Sequence, residues 1–196
     1  MHEWPGDDPF RLEPVLDIER GDKYSVSRAT MTWHVGTHMD APAHFVRGGA
    51  RIDGFPAEAG VGRARVIAIR HPRFVTTAEL SEHRVRPGER LLFKTRNSSS
   101  AWKQPRFADR FVSIGADAAE YLASRRVRLV AIDYLSVDPY ESETMPAHKF
   151  LLGGGVWVVE GVNLAGIQPG RYDLVCLPLR IAGGDGSPVR AMLRRR

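Results

Sequence analysis

The chain has 196 residues, 43% of them hydrophobic and 26% charged, the balance of a globular protein with one ordinary core. It contains no run of about eighteen apolar residues and no apolar leader in roughly its first thirty, which argues against a membrane span and for a cytoplasmic protein. The net charge of +5 comes from dispersed arginines, clustered only at Arg125-Arg126-Val127-Arg128 and Arg194-Arg195-Arg196 without any RNP, zinc-finger or helix-turn-helix signature, so nucleic acid is not the expected partner.

In chain order, Trp4-Pro5-Gly6-Asp7-Asp8-Pro9-Phe10 is turn chemistry with an aromatic at each end. Leu12 to Glu19 and Tyr24 to His38 read as two strands joined by the turn Arg20-Gly21-Asp22. The second of these runs into His34-Val35-Gly36-Thr37-His38-Met39-Asp40-Ala41-Pro42-Ala43-His44, which holds three of the seven histidines. Its polar residues His34, His38, Asp40 and His44 all occupy even positions, so an extended strand would project them to one side. A helix would carry residue 40 off the face shared by 34 and 38, and Gly36 and Pro42 disfavour a helix interior. Burying three histidines beside a carboxylate without partners would be costly, whereas imidazole and carboxylate suit borderline divalent metals such as zinc. The absence of cysteine ligands points to an open, reactive site rather than a closed structural one.

Further along, Arg47-Gly48-Gly49-Ala50 reads as a loop, and Ala64 to Ile69 and Arg90 to Thr95 read as short strands. Thr77 to His83 forms a short helix with Thr77 as its cap, and Asp117 to Ser124 a second with Ala118, Tyr121 and Leu122 on one side. Phe111-Val112-Ser113-Ile114-Gly115 lacks the first glycine of a Gly-x-Ser-x-Gly elbow, which argues against a serine nucleophile. Val127 to Ile132 is a buried strand ending in Asp133-Tyr134-Leu135-Ser136-Val137-Asp138-Pro139, which serves equally as active-site material or as an ordinary turn. Thr144 then caps a helix with Pro146 in its first turn, ending at Gly153-Gly154-Gly155. His148 lies in that helix, and Glu160 closes the apolar strand beginning at Val156. Taken alone, Glu160 is either a solvated strand end or a partner for a cation. Tyr172 to Ile181 is a further strand, and the single Cys176 within it reads as an inert core thiol. Strands outnumber helices without strict βαβ alternation, so the expected fold is a mixed α+β single domain over residues 1–196.

The motif from His34 to His44 resembles the His-x-Gly-Thr-His-x-Asp-x-Pro-x-His signature of the cyclase superfamily, which includes bacterial kynurenine formamidase (arylformamidase) and isatin hydrolase. Trp4-Pro5-Gly6-Asp7, Ile132-Asp133 with Ser136-Val137-Asp138-Pro139, Glu141 to His148, Leu177-Pro178-Leu179-Arg180 and Gly186-Ser187-Pro188-Val189-Arg190-Ala191 are similar to other blocks of the family, so the likeness spans nearly the whole chain. The start lies close to Trp4, where relatives usually carry an additional N-terminal strand, which points to a truncated start. The resemblance implies a swivelling β/β/α fold and a homo-oligomer, a dimer or tetramer. It implies a divalent metal held by His34, His38 and Asp40. In formamidases His148 and Glu160 complete a binuclear site and Asp40 bridges the ions. Zinc is the first expectation and manganese the second, with one or two ions per subunit. His44 is implied as catalytic acid and base rather than ligand, and Trp4 as a substrate contact. The implied reaction is hydrolysis of an aryl formamide, N-formylkynurenine to kynurenine and formate in tryptophan catabolism. The alternatives are another small amide, lactam or lactone at the same site and, remotely, a basic nucleic-acid-binding protein with a structural metal.

Overall fold

The computed structural model describes residues 3–195; Arg196, the last of the terminal arginine cluster, lies outside them. Its strands are β1 (Arg11–Leu16), β2 (Val26–Thr30), β3 (His38–Asp40), β4 (Val61–Ala68), β5 (Phe74–Val75), β6 (Arg90–Lys94), β7 (Ser113–Ile114), β8 (Leu129–Ile132), β9 (Trp157–Glu160), β10 (Gly170–Val175), β11 (Gly186–Pro188) and β12 (Met192–Arg195). The helices are α1 (Ala57–Gly60), α2 (Thr77–Glu82), α3 (Ala116–Ser124) and α4 (Pro146–Gly153). Eight strands form one sheet in the order β11-β3-β9-β8-β6-β4-β10-β12, and β1-β2 and β5-β7 are separate pairs. The centre, β4, β6, β8 and β9, is parallel, while β3 and β11 on one side and β10 and β12 on the other add antiparallel strands. This is the mixed α+β architecture expected from the order of elements.

The innermost stretches, Leu91 to Phe93 of β6, all of β8 and Trp157 to Val159 of β9, are apolar at every position because both faces are covered. Alternation sends Phe93, Val130, Ile132 and Val158 to a cluster with Leu80 of α2, Leu122 of α3 and Leu151 of α4. Their neighbours Leu92, Leu129, Ala131 and Val159 join Met39, Ile52, Tyr172 and Leu174 on the opposite face. Each connection between parallel strands therefore lays its helix on one face of the sheet. No helix among the described residues is long and apolar enough to cross a membrane.

Several boundaries depart from the sequence reading for local reasons. The strand expected from Tyr24 to His38 stops at Thr30 and resumes only at His38, with turns and bends over 33–37 and Gly36 at φ +67°. The cap of α2 is Thr76, whose Oγ1 accepts from Glu79 N at 3.3 Å, one residue before the expected Thr77. The expected Thr144 cap of α4 is replaced by Met145 in a left-handed conformation, φ +47°, with no side-chain cap of its own. Asp138 supplies the missing acceptor, taking the N–H groups of Ala147 at 2.9 Å and His148 at 3.0 Å. The run from Tyr172 to Ile181 is strand only as far as Val175. Cys176 is buried, and burial pushes its thiol up to about 12, as suits an unreactive core residue.

Candidate metal and catalytic site

The site forms where β3 meets β9. Their antiparallel register sets His38 opposite Glu160, Met39 opposite Val159 and Asp40 opposite Val158. Met39 and Val159 lie in the cluster on the face away from α2, α3 and α4. Alternation then turns His38, Asp40 and Glu160 towards the α4 side. Gly161 makes the approach possible: at φ +70°, a Cβ there would meet the carbonyl oxygen of Gly36 at 2.2 Å, and Thr37 Oγ1 donates to the Gly161 carbonyl at 2.8 Å. His148 on the first turn of α4 closes the group from above, its ring stacked on Phe45 at 4.3 Å.

The expectation that His34, His38, Asp40 and His44 share one extended strand is corrected. Only His38 and Asp40 lie in β3; His34 arrives from the preceding turn, and His44 from a single 3-10 turn at Pro42–His44. The four nevertheless converge. His34 Nδ1 lies 2.9 Å from Asp40 Oδ1, His38 Nε2 3.3 Å from the same oxygen, and the His34 and His44 rings stack at 3.9 Å. The second pair joins them: His38 Nε2 is 3.3 Å from Glu160 Oε2, and His148 Nε2 is 3.1 Å from Glu160 Oε1 and 3.6 Å from Asp40 Oδ2. Glu160 is thus buried among histidines rather than a solvated strand end.

The electrostatics are those of a cation site. Asp40 is fully buried, yet its Oδ2 has no hydrogen-bond partner, a costly omission unless a positive charge faces it. Ligand atoms within 4.8 Å of one another form three groups among the described residues: His34 with His38 and Asp40, Asp40 with His148 and Glu160, and, less buried, His34 with His44 and Asp185; Asp40 is common to the first two. These nitrogen and oxygen donors fit a borderline divalent ion. Without a metal, burial would lower the pKa of His38, but hydrogen bonds to Asp40 and Glu160 override it and raise it to about 10. His148 is likewise raised to about 10, against burial, by the charge of Glu160 and by Asp138. Hydrogen bonds from His34 and then His38 overcome burial to hold Asp40 well below the ordinary carboxylate range, and His148 and His38 lower Glu160 against burial and the charge of Asp40. A cation entering at neutral pH must therefore displace protons from His38 and His148. Titration of zinc into metal-free protein at pH 7, in buffers of differing ionisation heat, is expected to release up to two protons per site and to tighten as pH rises. A heat independent of the buffer would contradict this.

Two carboxylates at the site were not singled out from the sequence. Asp138 Oδ2 lies 2.7 Å from His148 Nδ1, fixing which ring nitrogen faces the cluster, in the manner of carboxylate–histidine–metal triads. Its place beyond a buried strand, in a block similar to one of the family's, was the hint the sequence offered. Asp133, in the same segment, is structural: it accepts from Thr95 and Ser98 through four hydrogen bonds of 2.7–3.1 Å. Asp185, in the Gly183-Gly184-Asp185-Gly186 turn, lies 3.2 Å from His34 Nε2 and 3.6 Å from His44 Nδ1. His44 is only part-buried; burial first, and then the charges of His34 and His148, hold its pKa below the ordinary 6.5 against the pull of Asp40. It is therefore neutral at pH 7. A cavity of about 470 Å³ opens over the cluster, walled by Trp4, Trp33, Phe45, Leu135 and Met145. Trp4 is held there by edge-on contacts with Phe107 at 5.2 Å and Tyr140 at 5.3 Å.

Comparison with known proteins agrees with this geometry. The family model described as "Putative cyclase" matches residues 1–139. A kynurenine formamidase of Bacillus thuringiensis (strain Al Hakam) is 37% identical over 191 residues, covering 97% of this chain and 90% of the relative. The kynurenine formamidase of Bacillus anthracis is 36% identical over the same shares. Among solved structures, a potential metal-dependent hydrolase with cyclase activity superposes with a TM-score of 0.82 at 33% identity, over 95% of this chain and 88% of the other. Isatin hydrolase A from Labrenzia aggregata, bound to benzyl benzoate, superposes with a TM-score of 0.79 at 28% identity, over 94% and 82%. Fold and site together define a metal-dependent hydrolase. The chain belongs to the cyclase family, and the cyclase-like fold expected from the resemblance is the one it adopts.

Proposed function

We propose that the protein hydrolyses an aryl formamide, N-formylkynurenine, to kynurenine and formate. The observation that carries this reading is an aromatic-walled cavity standing directly over a histidine–carboxylate cluster in which a buried Asp40 oxygen makes no hydrogen bond. The relatives named kynurenine formamidase support the substrate. In this reading His34, His38, Asp40, His148 and Glu160 hold one or two divalent ions, zinc before manganese. A bound ion supplies Lewis acidity for the carbonyl and an acidified water. His44 does the proton work: with Nδ1 towards Asp185, Nε2 takes the proton from water and delivers it to the anilide nitrogen, which leaves poorly as an anion. Trp4, Trp33 and Phe45 supply flat apolar surface for an aryl ring. The proposal extends to a homo-oligomer, formed from one-domain subunits and working in the cytoplasm.

A second reading, opening of a cyclic aryl amide, is favoured by the likeness to isatin hydrolase. Formate release from N-formylkynurenine, set beside turnover of isatin and of simple lactams and lactones, separates the two. Exhaustive chelation is expected to abolish activity, with zinc or manganese restoring it. Full turnover by protein that metal analysis finds empty would refute the mechanism. Faster turnover of isatin than of the formamide would transfer the assignment to the second reading.

A further inference from the structure

Arginines that are dispersed along the sequence come together in the fold. Arg63, Arg65, Arg86, Arg90 and Arg171 line one cavity of about 350 Å³, between β4, β10 and the turn Arg86-Pro87-Gly88-Glu89 that leads into β6. Glu89 is the one carboxylate of its wall among the described residues. Strands β6 and β8 separate β4 from β9 in the sheet, so the cavity is remote from the histidine cluster. The register sets Arg65 directly opposite Arg171 across β4 and β10. Like charges directly opposite one another in an antiparallel pair are destabilising unless something neutralises them. Arg63 stands opposite Asp173, but that carboxylate accepts from Arg194 at 2.9 Å.

The turn above these strands is fixed. Gly88, at φ +76° after Pro87, donates to the Arg126 carbonyl at 2.9 Å. Glu89 is already committed, accepting from Arg86 N at 2.9 Å and from Arg65 Nη2 at 2.7 Å. Arg65 is held further by the His83 carbonyl at 2.6 Å, while its buried Nε makes no hydrogen bond. The buried Arg90 guanidinium donates to backbone carbonyls, those of Ala59 at 2.7 Å, Arg63 at 3.2 Å and Glu58. Arg63, Arg86 and Arg171 are exposed, and their guanidinium groups make no ion pair or hydrogen bond among the described residues. Three uncommitted guanidinium groups thus surround a recess that two fixed ones already make positive. A planar guanidinium pairs with two oxygens of a carboxylate or phosphate at once. Three of them match a multivalent oxyanion better than a single carboxylate, and a recess suits a compact anion better than an extended polymer.

We infer that this cavity binds a diphosphate-type oxyanion, either free or as the tail of a nucleotide, through Arg63, Arg86 and Arg171 over the fixed charges of Arg65 and Arg90. The inference is independent of the substrate assigned above. Calorimetric titration of inorganic diphosphate into the wild-type protein is expected to show one saturable site per chain. Arg63→Ala with Arg171→Ala is expected to weaken binding by about 100-fold, roughly tenfold for each charged donor removed, with metal content and turnover unchanged. Arg28→Ala with Arg106→Ala removes the same charge from exposed positions elsewhere and is expected to leave binding intact; equal weakening would reduce the effect to overall charge and overturn the site. Binding that disappears in Asp40→Ala would put the anion on the metal and overturn it too. ADP separates the two sources: tighter binding than diphosphate assigns the site to a nucleotide, and equal or weaker binding to the free anion. An oligonucleotide that binds where diphosphate does not would transfer the surface to a polymer and refute the inference. Should the double variant unfold, the wild-type protein decides. Diphosphate is expected to protect Arg63 and Arg171 from phenylglyoxal, mapped on peptides, and modification indifferent to diphosphate would refute the site.

Discussion

Asp40→Ala is expected to empty the site and lower turnover by on the order of 10⁴-fold or more, because the metal's acidification of water, from a pKa of about 15.7 towards 7, is lost with it. Asp40 belongs to two of the ligand groups, and its buried Oδ2 makes no hydrogen bond. Removing it takes a ligand from both at once. It also leaves His34, His38 and His148 without the carboxylate that faces all three. Glu160 belongs to one group only, so Glu160→Gln, which keeps the shape and removes the charge, is expected to lower the metal content without abolishing it. Metal analysis of the folded variants checks both. Two ions retained in Asp40→Ala would end the bridging role. Unchanged content in Glu160→Gln would return that residue to a structural one.

His44 is expected to behave oppositely. His44→Ala and His44→Gln should keep near-normal metal content while losing about 10²–10⁴ in turnover, the usual size of general acid–base assistance. His44 stacks on His34 and stands 3.6 Å from Asp185, grouping with those two rather than with Asp40 and Glu160, and it lacks the close carboxylate contacts that raise His38 and His148. With its pKa held below 6.5, wild-type activity should fall on the acid side as the ring protonates, and the variants should lose that limb. Formyl anilides, whose nitrogen must be protonated, should suffer more than aryl esters, whose phenolate leaves unaided. If metal content fell in step with activity, His44 would be a ligand. If metal stayed and anilide turnover barely changed, another group would carry the proton.

The sequence by itself determined the chemistry of this site and the class of the fold. Residue types are chemical facts that need no coordinates, and a short motif spaces its side chains through local backbone, so three histidines and a carboxylate within eleven residues were bound to converge. The central strands were legible for the same reason, since a strand buried on both faces reads as an unbroken apolar run. Even spacing picked residues that do converge, but through a different backbone: Gly36 and Pro42 allow turns that bring His34 and His44 back over β3, and turn geometry is poorly constrained by alternation. Tertiary structure alone decided the rest. Whether Glu160 faced water or a histidine depended on the register of β9 against β3, a pairing across more than a hundred residues that no local pattern encodes. The same holds for Asp138, which caps α4 and orients His148, and for Asp185, which reaches His34 and His44 from the far end of the chain. Their side chains acquire meaning only from neighbours that folding supplies.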